Sequence, residues 1–83
     1  MIRSEHCRAA RCWLDWSQAD LAENASVGLS TVRDFEKGRR TPIRNNLEAI
    51  QRALEAAGIQ FIMDTSGEIA GVTGPTKPPK AGS

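Results

Sequence analysis

Residues 21–36 read LAENASVGLSTVRDFE, and the turn in the middle of this stretch decides the fold. The segments on either side suit helices, but Asn24, Ser26 and Gly28 favour a turn. The first two side chains compete for backbone hydrogen bonds, and glycine relaxes the φ restriction. Val27 is placed to fill the space beneath the turn. Because two helices joined by so short a turn cross at a steep angle, the second helix is predicted to stand out from the surface.

The helix before the turn starts at a capping signal. Ser17 can accept a hydrogen bond from the backbone N–H of Asp20, whose carboxylate can reach back to Ser17. Trp16 can also pack on Leu21 as a hydrophobic staple. Together these features predict that helix 2 begins at Gln18.

The helix after the turn exposes one face. The spacing predicts helix 3 from Leu29 to about Lys37, where Gly38 ends it. Val32 and Phe35, three residues apart, face the core. The residues left on the outer face are Leu29, Ser30, Arg33, Asp34 and Lys37, while Thr31 either faces outward or packs.

Two further helices complete the predicted helical core. The apolar stripe of helix 1, over residues 4–14, consists of Cys7, Ala10 and Leu14. The stripe of helix 4 consists of Leu47, Ile50, Leu54 and Ala57. Asn45 and Glu48 are suited to cap the start of helix 4, and Gly58 to end it. Trp13 is expected in the core, with a dimer contact and a stacked ligand as alternatives.

Beyond helix 4 the composition becomes β-favouring. Residues 59–63 and 68–72 are predicted to form two strands joined by a turn. Prolines and glycines predict a disordered tail at 73–83. The chain is therefore expected to be mainly α, with a compact four-helix domain at 1–58 and a short C-terminal β-hairpin at 59–72.

Charge is distributed unevenly along a chain that is close to neutral overall. The 83 residues carry a formal net charge of +1, yet residues 27–44 hold five lysines and arginines against two acidic residues. Such a cationic run is usually a solvated face, but it is also what a nucleic-acid partner requires.

The sequence argues against a metal site, a disulfide and an enzyme. On helix 1, Cys7 and Cys12 point about 140° apart, which is too divergent for a shared bond or ion. His6 is the only histidine, and no nucleophile with orienting partners is recognisable. A signal peptide and an apolar run long enough to span a membrane are also missing from the sequence. We therefore expect a cytoplasmic, non-enzymatic protein without cofactors.

These features together resemble the Cro/CI-type, or XRE-type, helix-turn-helix regulators. The segments that carry the resemblance are SQADLA at 17–22, SV at 26–27, STV at 30–32, FEKG at 35–38 and RRTP at 39–42. The resemblance implies a lambda-repressor-like fold, a contact of Gln18 with the DNA backbone, and base reading by the first turns of helix 3. It also implies a structural ion pair between Arg11 and Glu36.

Three positions depart from the usual pattern of these regulators. Ser26 stands where the family usually has a left-handed glycine, at a cost of about 1 kcal/mol. Gly28 replaces the usual Ser or Thr cap of helix 3. Leu29 replaces a hydrogen-bonding residue, so we expect it to contact a thymine methyl group.

Candidate DNA contacts lie on the outer face of helix 3 and on the loop after it. Arg33 is the candidate for a bidentate contact to guanine, with a phosphate contact or a position beside Lys37 as alternatives. Asp34 either accepts a bond from cytosine N4 or orients Arg33, and the second role is favoured because phosphates repel a carboxylate. The remaining candidates for phosphate or base contacts are Ser30, Thr31, Lys37, Arg39, Arg40 and Arg44.

The predicted hairpin raises a separate question, because two strands alone are marginally stable in water. Edge pairing with a second copy would produce a symmetric homodimer and cover Ile59, Phe61, Ile62 and Met63. Alternatively, the hairpin folds back on helices 1 and 4 of its own chain. A dimer would hold two copies of helix 3 about one DNA turn apart, as a palindromic operator requires.

The sequence as a whole predicts a transcriptional regulator of a double-stranded DNA operator, acting as a repressor or autoregulatory controller. The alternative is an antitoxin or antiactivator whose β segment binds a protein partner.

Overall fold

Four helices and one β-hairpin form residues 2–75, the part of the chain that the computed structural model describes. The elements are α1 (Ser4–Trp13), α2 (Gln18–Ala25), α3 (Leu29–Glu36), α4 (Arg44–Ala56), β1 (Gln60–Met63) and β2 (Ile69–Thr73). The predicted fold class, mainly α with a short C-terminal hairpin, is confirmed. The predicted ends of the elements agree with these bounds to within one or two residues.

The predicted capping box opens α2. The Oγ atom of Ser17 accepts a hydrogen bond of 3.0 Å from the Asp20 N–H, and the Asp20 carboxylate accepts one of 2.9 Å from the Ser17 N–H. At the other end of α2, Ser26 adopts the left-handed conformation, with φ 56° and ψ 42°. Gly28 is the N-cap of α3. The chain therefore turns the predicted corner within the three residues that separate the two helices.

The predicted cap of α4 is wrong. The helix starts at Arg44, and its N-cap is Ile43, whose side chain makes no capping bond. The backbone alone closes the first turn, through the Leu47 N–H and the Ile43 carbonyl at 3.0 Å. Glu48 was the expected capping partner of Asn45. Its Oε1 atom instead lies 3.2 Å from Nε of Arg44 and forms an ion pair with it. Attraction between oppositely charged side chains four residues apart favours this longer helix over the asparagine cap.

One hydrophobic core joins the helices to the hairpin. Helix α2 packs against α3 and α4, and β2 packs against α1. The largest fully buried side chains are Leu21, Val32, Ile50, Leu54 and Cys7. Ile59 and Ile69 extend the same core from the hairpin. The helices and the hairpin are therefore parts of one structural unit.

Burial of Ile59 corrects part of the predicted dimer surface. Its side chain is 2 % exposed within a single protomer, because the Ile59 N–H bonds to the Leu54 carbonyl at 3.1 Å and turns the chain under α4. Phe61 is half-buried on the same core. Ile62 and Met63 remain 50 % and 53 % exposed. The fold-back alternative thus describes the inner side of the hairpin, and only the outer side is left for a partner.

The indole of Trp13 lies at the surface. The sequence predicted it in the core, and that prediction is wrong. Trp13 is 41 % exposed, and its Nε1–H donates a hydrogen bond of 3.0 Å to the Pro75 carbonyl. Gly74 lies beneath the ring, where any Cβ atom would collide with the indole. The chain after β2 is held against α1 by these contacts, and Thr73 belongs to the strand and not to a tail. The rest of the predicted tail, residues 76–83, lies outside the described residues.

Candidate nucleic-acid interface

Helix α3 presents one face to the core and the other to solvent. Val32 and Phe35 are buried on the inner face, as predicted. The outer face of α3 consists of Leu29, Ser30, Arg33 and Lys37, which are exposed, together with Thr31 and Asp34, which are half-buried. The corner at Ser26 leaves this outer face open to a partner.

A buried polar cluster lies at the inner end of α3. We define the Glu36 cluster as the Glu36 carboxylate with its side-chain donors Arg11, Gln18 and Cys7. Arg11 donates from Nε at 2.9 Å and from Nη2 at 3.0 Å. Gln18 donates from Nε2 at 3.0 Å, and Cys7 from Sγ at 3.3 Å. Since Glu36 is only 3 % exposed, the ion pair expected between Arg11 and Glu36 is present and largely desolvated.

Two arginines of α1 also hold the ends of neighbouring segments. The Arg8 guanidinium donates to the Glu36 carbonyl and so satisfies the last turn of α3. The Arg11 guanidinium donates to the Trp16 carbonyl at 2.9 Å, just before α2. Helix α1 therefore fixes the positions of α2 and α3 relative to each other.

The Glu36 cluster determines the protonation of its members. Burial of Glu36 favours the neutral carboxyl, but the hydrogen bonds of the cluster, first that from Arg11, outweigh burial and hold the pKa of Glu36 below its usual value. Burial, and then the charge of Glu36, raises the pKa of the Cys7 thiol. The bond to Glu36 raises the pKa of Arg11. At neutral pH Cys7 is therefore a protonated hydrogen-bond donor and not a nucleophile.

Gln18, expected at the DNA backbone, is shared with the Glu36 cluster. One N–H of its amide is used by Glu36, and the side chain is half-buried at the first position of α2. The second N–H and the amide oxygen are available to another ligand. A phosphate contact from Gln18 stays a prediction.

A shallow groove of about 240 Å³ separates α3 from the loop after it and the start of α4. The residues that line it are Ser30, Thr31, Asp34, Arg40, Thr41, Pro42, Ile43 and Asn46. The last four are not among the predicted contacts. Their sequence signals are weak, because Pro42 indicates only a loop and Asn46 suits the first turn of any helix.

Exposed cations surround the same region. Those on α3, the following loop and the start of α4 are Arg33, Lys37, Arg39, Arg40 and Arg44. Within residues 2–75 only Arg44 among them has an acidic partner, Glu48. No ion pair joins Arg33 to Asp34 within residues 2–75, and Asp34 lines the groove that also contains Arg40. Adjacent residues of a helix point about 100° apart, and an orienting role of Asp34 toward Arg33 at the DNA stays a prediction.

Neither a metal centre nor a membrane span is found in the described residues. Residues 2–75 hold no group of three or more His, Cys, Asp and Glu side chains that could bind a metal ion. A bilayer span would need a longer and more apolar helix than any in that range.

Comparison with known proteins covers the region that contains the corner. The family model described as helix-turn-helix matches residues 8–58, which include α2, α3, α4 and most of the Glu36 cluster. No curated protein is significantly similar to the chain. Since the match extends over more than half of the sequence, the chain belongs to the XRE-type helix-turn-helix family of DNA-binding transcription regulators.

Proposed function

We propose that the protein represses or autoregulates transcription by occupying a palindromic operator as a symmetric homodimer. The observation that carries the proposal is the outer face of α3, which stands clear of the core. Of the five exposed cations on and beside it, Arg44 alone has an acidic partner within residues 2–75. Cations that are not neutralised by the protein attract the phosphates of duplex DNA.

The chemistry of each side chain suggests its role at the operator. Arg33 would form a bidentate contact with guanine, and Leu29 would pack on a thymine methyl group. These two contacts would supply part of the specificity. Phosphate contacts would come from Gln18, Ser30, Thr31, Lys37, Arg39, Arg40 and Arg44.

The outer side of the hairpin is the proposed dimer contact. Within residues 2–75 the sheet consists of β1 and β2, so one edge of β1 pairs with no other strand in that range, while β2 packs on α1. Pairing with β1 of a second copy would extend the sheet to four strands and cover Ile62 and Met63. A twofold axis through that contact would present two α3 helices to DNA.

Selection of bound fragments from random duplex DNA tests the DNA-binding part. We expect an inverted-repeat motif. The logarithm of the binding constant should fall with the logarithm of salt concentration, with a slope of about −0.9 per phosphate contact. Recovery of no motif, together with a flat response to salt, would overturn the proposal.

Ile62→Lys tests the dimer. A lysine on a strand edge opposes pairing but does not weaken attraction to DNA, so a loss of both dimer mass and operator affinity would support the dimer. Ala9→Lys adds the same charge at an exposed site on α1 and is the control. Unchanged mass and affinity in Ile62→Lys would remove the dimer from the proposal. Deleting the hairpin is not a suitable test, because Ile59 and Ile69 belong to the core.

A second candidate is a protein-binding module, such as an antitoxin or antiactivator, in which β1 grips another protein. The exposed side chains of Ile62 and Met63 favour a protein partner of some kind. The mass of the chain isolated from its own cells distinguishes the candidates. A complex with a different chain that survives Arg33→Ala would support the module, whereas a homodimer that loses operator binding in Arg33→Ala would support the regulator.

A further inference from the structure

Asp34 is an acidic residue on an otherwise cationic surface. Its side chain is half-buried in the groove beside α3. Ser30, one helical turn earlier, and Arg40 line the same groove. The other acidic residue of α3, Glu36, is withdrawn into the Glu36 cluster. Asp34 is therefore the carboxylate that a ligand of the outer face of α3 would meet.

The Asp34 carboxylate has no hydrogen-bond or ion-pair partner among residues 2–75. By contrast, Asp20 caps α2 and Glu48 binds Arg44. An unneutralised carboxylate weakens attraction to phosphates at every DNA sequence equally. Asp34 consequently gains a favourable role only where a ligand offers a hydrogen-bond donor.

The edges of the bases in the major groove narrow the choice of donor. A carboxylate is an acceptor only, and it is repelled by the acceptor atoms N7 and O6 of guanine and O4 of thymine. Adenine offers its N6 amino group beside the acceptor N7, whereas cytosine offers its N4 amino group without an adjacent acceptor on the same base. Cytosine is thus the best match to an unpaired carboxylate.

We propose that Asp34 determines specificity by accepting a hydrogen bond from N4 of one cytosine in each half-site. This inference rests on the proposed DNA-binding function. The same carboxylate rejects guanine and thymine at that position. Arg40, which lines the same groove, offsets the repulsion between Asp34 and the phosphates beside that cytosine. Asp34 therefore selects among operators at the expense of affinity for DNA in general.

The test is a selection from random duplex DNA with the full chain and three variants. Asp34→Asn keeps the shape of the side chain but adds a donor, and Asp34→Ala removes the contact. Glu23→Gln removes a negative charge from an exposed site on α2 and is the matched control for general electrostatics.

The wild-type chain should select cytosine at one position of each half-site, and replacing that cytosine should lower affinity about 5- to 150-fold. Asp34→Asn should shift the preference at that position to adenine, whose N6 and N7 suit an amide. Asp34→Ala should lose the preference for cytosine at that position, because it has no acceptor for N4. Glu23→Gln should leave the motif unchanged.

Two outcomes would overturn the inference, and they differ in meaning. If the wild-type chain selects a motif that is identical in Asp34→Asn and Asp34→Ala, Asp34 reads no base, while the proposed function stands. If the wild-type chain selects no motif at all, the proposed function fails and the role of Asp34 fails with it.

Discussion

Charged side chains have protein partners on the inner face of α3 and lack them on its outer face within residues 2–75. On the inner face, the Glu36 carboxylate receives four side-chain hydrogen bonds from three residues and is almost completely buried. On the outer face, Arg33, Asp34 and Lys37 have no side-chain partner within residues 2–75. Charges that are satisfied inside the protein build the scaffold, and charges that are left unsatisfied are available to a ligand.

This difference also explains why the overall charge is a poor guide to the surface. The sequence is nearly neutral, and residues 27–44 include two acidic residues. Glu36 is hidden from solvent and neutralised by Arg11, so Asp34 is the single carboxylate that residues 27–44 present outside. The surface around α3 is therefore more positive than a count along the sequence suggests.

The largest expected effect comes from removing the charge on the inner face. Glu36→Ala leaves Arg11 without its acidic partner in a mostly buried site, and we expect it to lower the free energy of unfolding by about 3 to 5 kcal/mol. Urea unfolding followed by circular dichroism measures this change. Glu23→Ala, at an exposed site on α2, should change the free energy of unfolding by less than about 0.5 kcal/mol. Equal changes in the free energy of unfolding for the two substitutions would contradict the distinction between buried and exposed charges.

Acid should weaken the same cluster without any substitution, by less than complete removal of Glu36. Because the pKa of Glu36 is lower in the folded than in the unfolded protein, the unfolded state binds more protons in acid. The stability contributed by the ionised carboxylate is therefore full above its unfolded pKa, about 4.3, and is lost as pH falls through the folded pKa.

Urea unfolding of the wild type and Glu36→Gln at several pH values between 7 and 3 measures this dependence. The difference in stability between the two proteins should be constant near neutral pH and should narrow below about pH 4. Other carboxylates with lowered pKa values, Glu5 and Asp64, are common to both proteins and cancel in the difference. A difference that stays constant down to pH 3 would contradict the assigned ionisation of Glu36.

Substitution of a charged residue on the outer face of α3 should weaken DNA binding and leave the free energy of unfolding almost unchanged. Arg33→Ala should cost about 1 to 3 kcal/mol of operator binding and relax specificity at one base pair. Its effect on the free energy of unfolding should stay within about 0.5 kcal/mol, because the side chain is exposed and unpaired. Fluorescence anisotropy with labelled operator DNA measures binding, and urea unfolding measures stability. Destabilisation comparable with that of Glu36→Ala would show that Arg33 is part of the scaffold.

The smallest effect concerns the corner that separates the faces. Ser26 has a positive φ of 56°, so Ser26→Gly should relieve strain and stabilise the protein by about 0.5 to 1 kcal/mol. Ser30→Gly, in the right-handed backbone of α3, should destabilise it by a similar amount. Thermal unfolding of both variants checks the opposite signs, and a loss of stability in Ser26→Gly would contradict the strain.

The parts of the fold that could be predicted from sequence are those determined by local interactions. The Ser17 and Asp20 capping box, the left-handed Ser26 and the inner face of α3 depend on residues a few positions apart. The wrong cap of α4 also has a local cause, because Glu48 pairs with Arg44 and not with Asn45. The misplacement of Trp13, by contrast, arises where distant segments meet. The exposure of Trp13 depends on Gly74 and Pro75, more than sixty residues away.

The candidate site divides in the same way. Helical spacing sufficed to predict that Arg33 and Lys37 face outward. It could not predict that Asp34 lies in a groove with Arg40, Thr41 and Asn46, because that groove is formed by the path of the loop between α3 and α4. The burial of Ile59 likewise depends on how the chain leaves α4.

The place of Cys7 in the Glu36 cluster has a practical consequence for solution measurements. Cys7 is completely buried, whereas Cys12, on the same helix, is exposed. A thiol-reactive dye should label the folded protein at Cys12 alone, which supplies a single-site fluorophore without mutagenesis. A second label would appear more slowly at Cys7, and its rate of appearance would measure how often α1 separates transiently from α3.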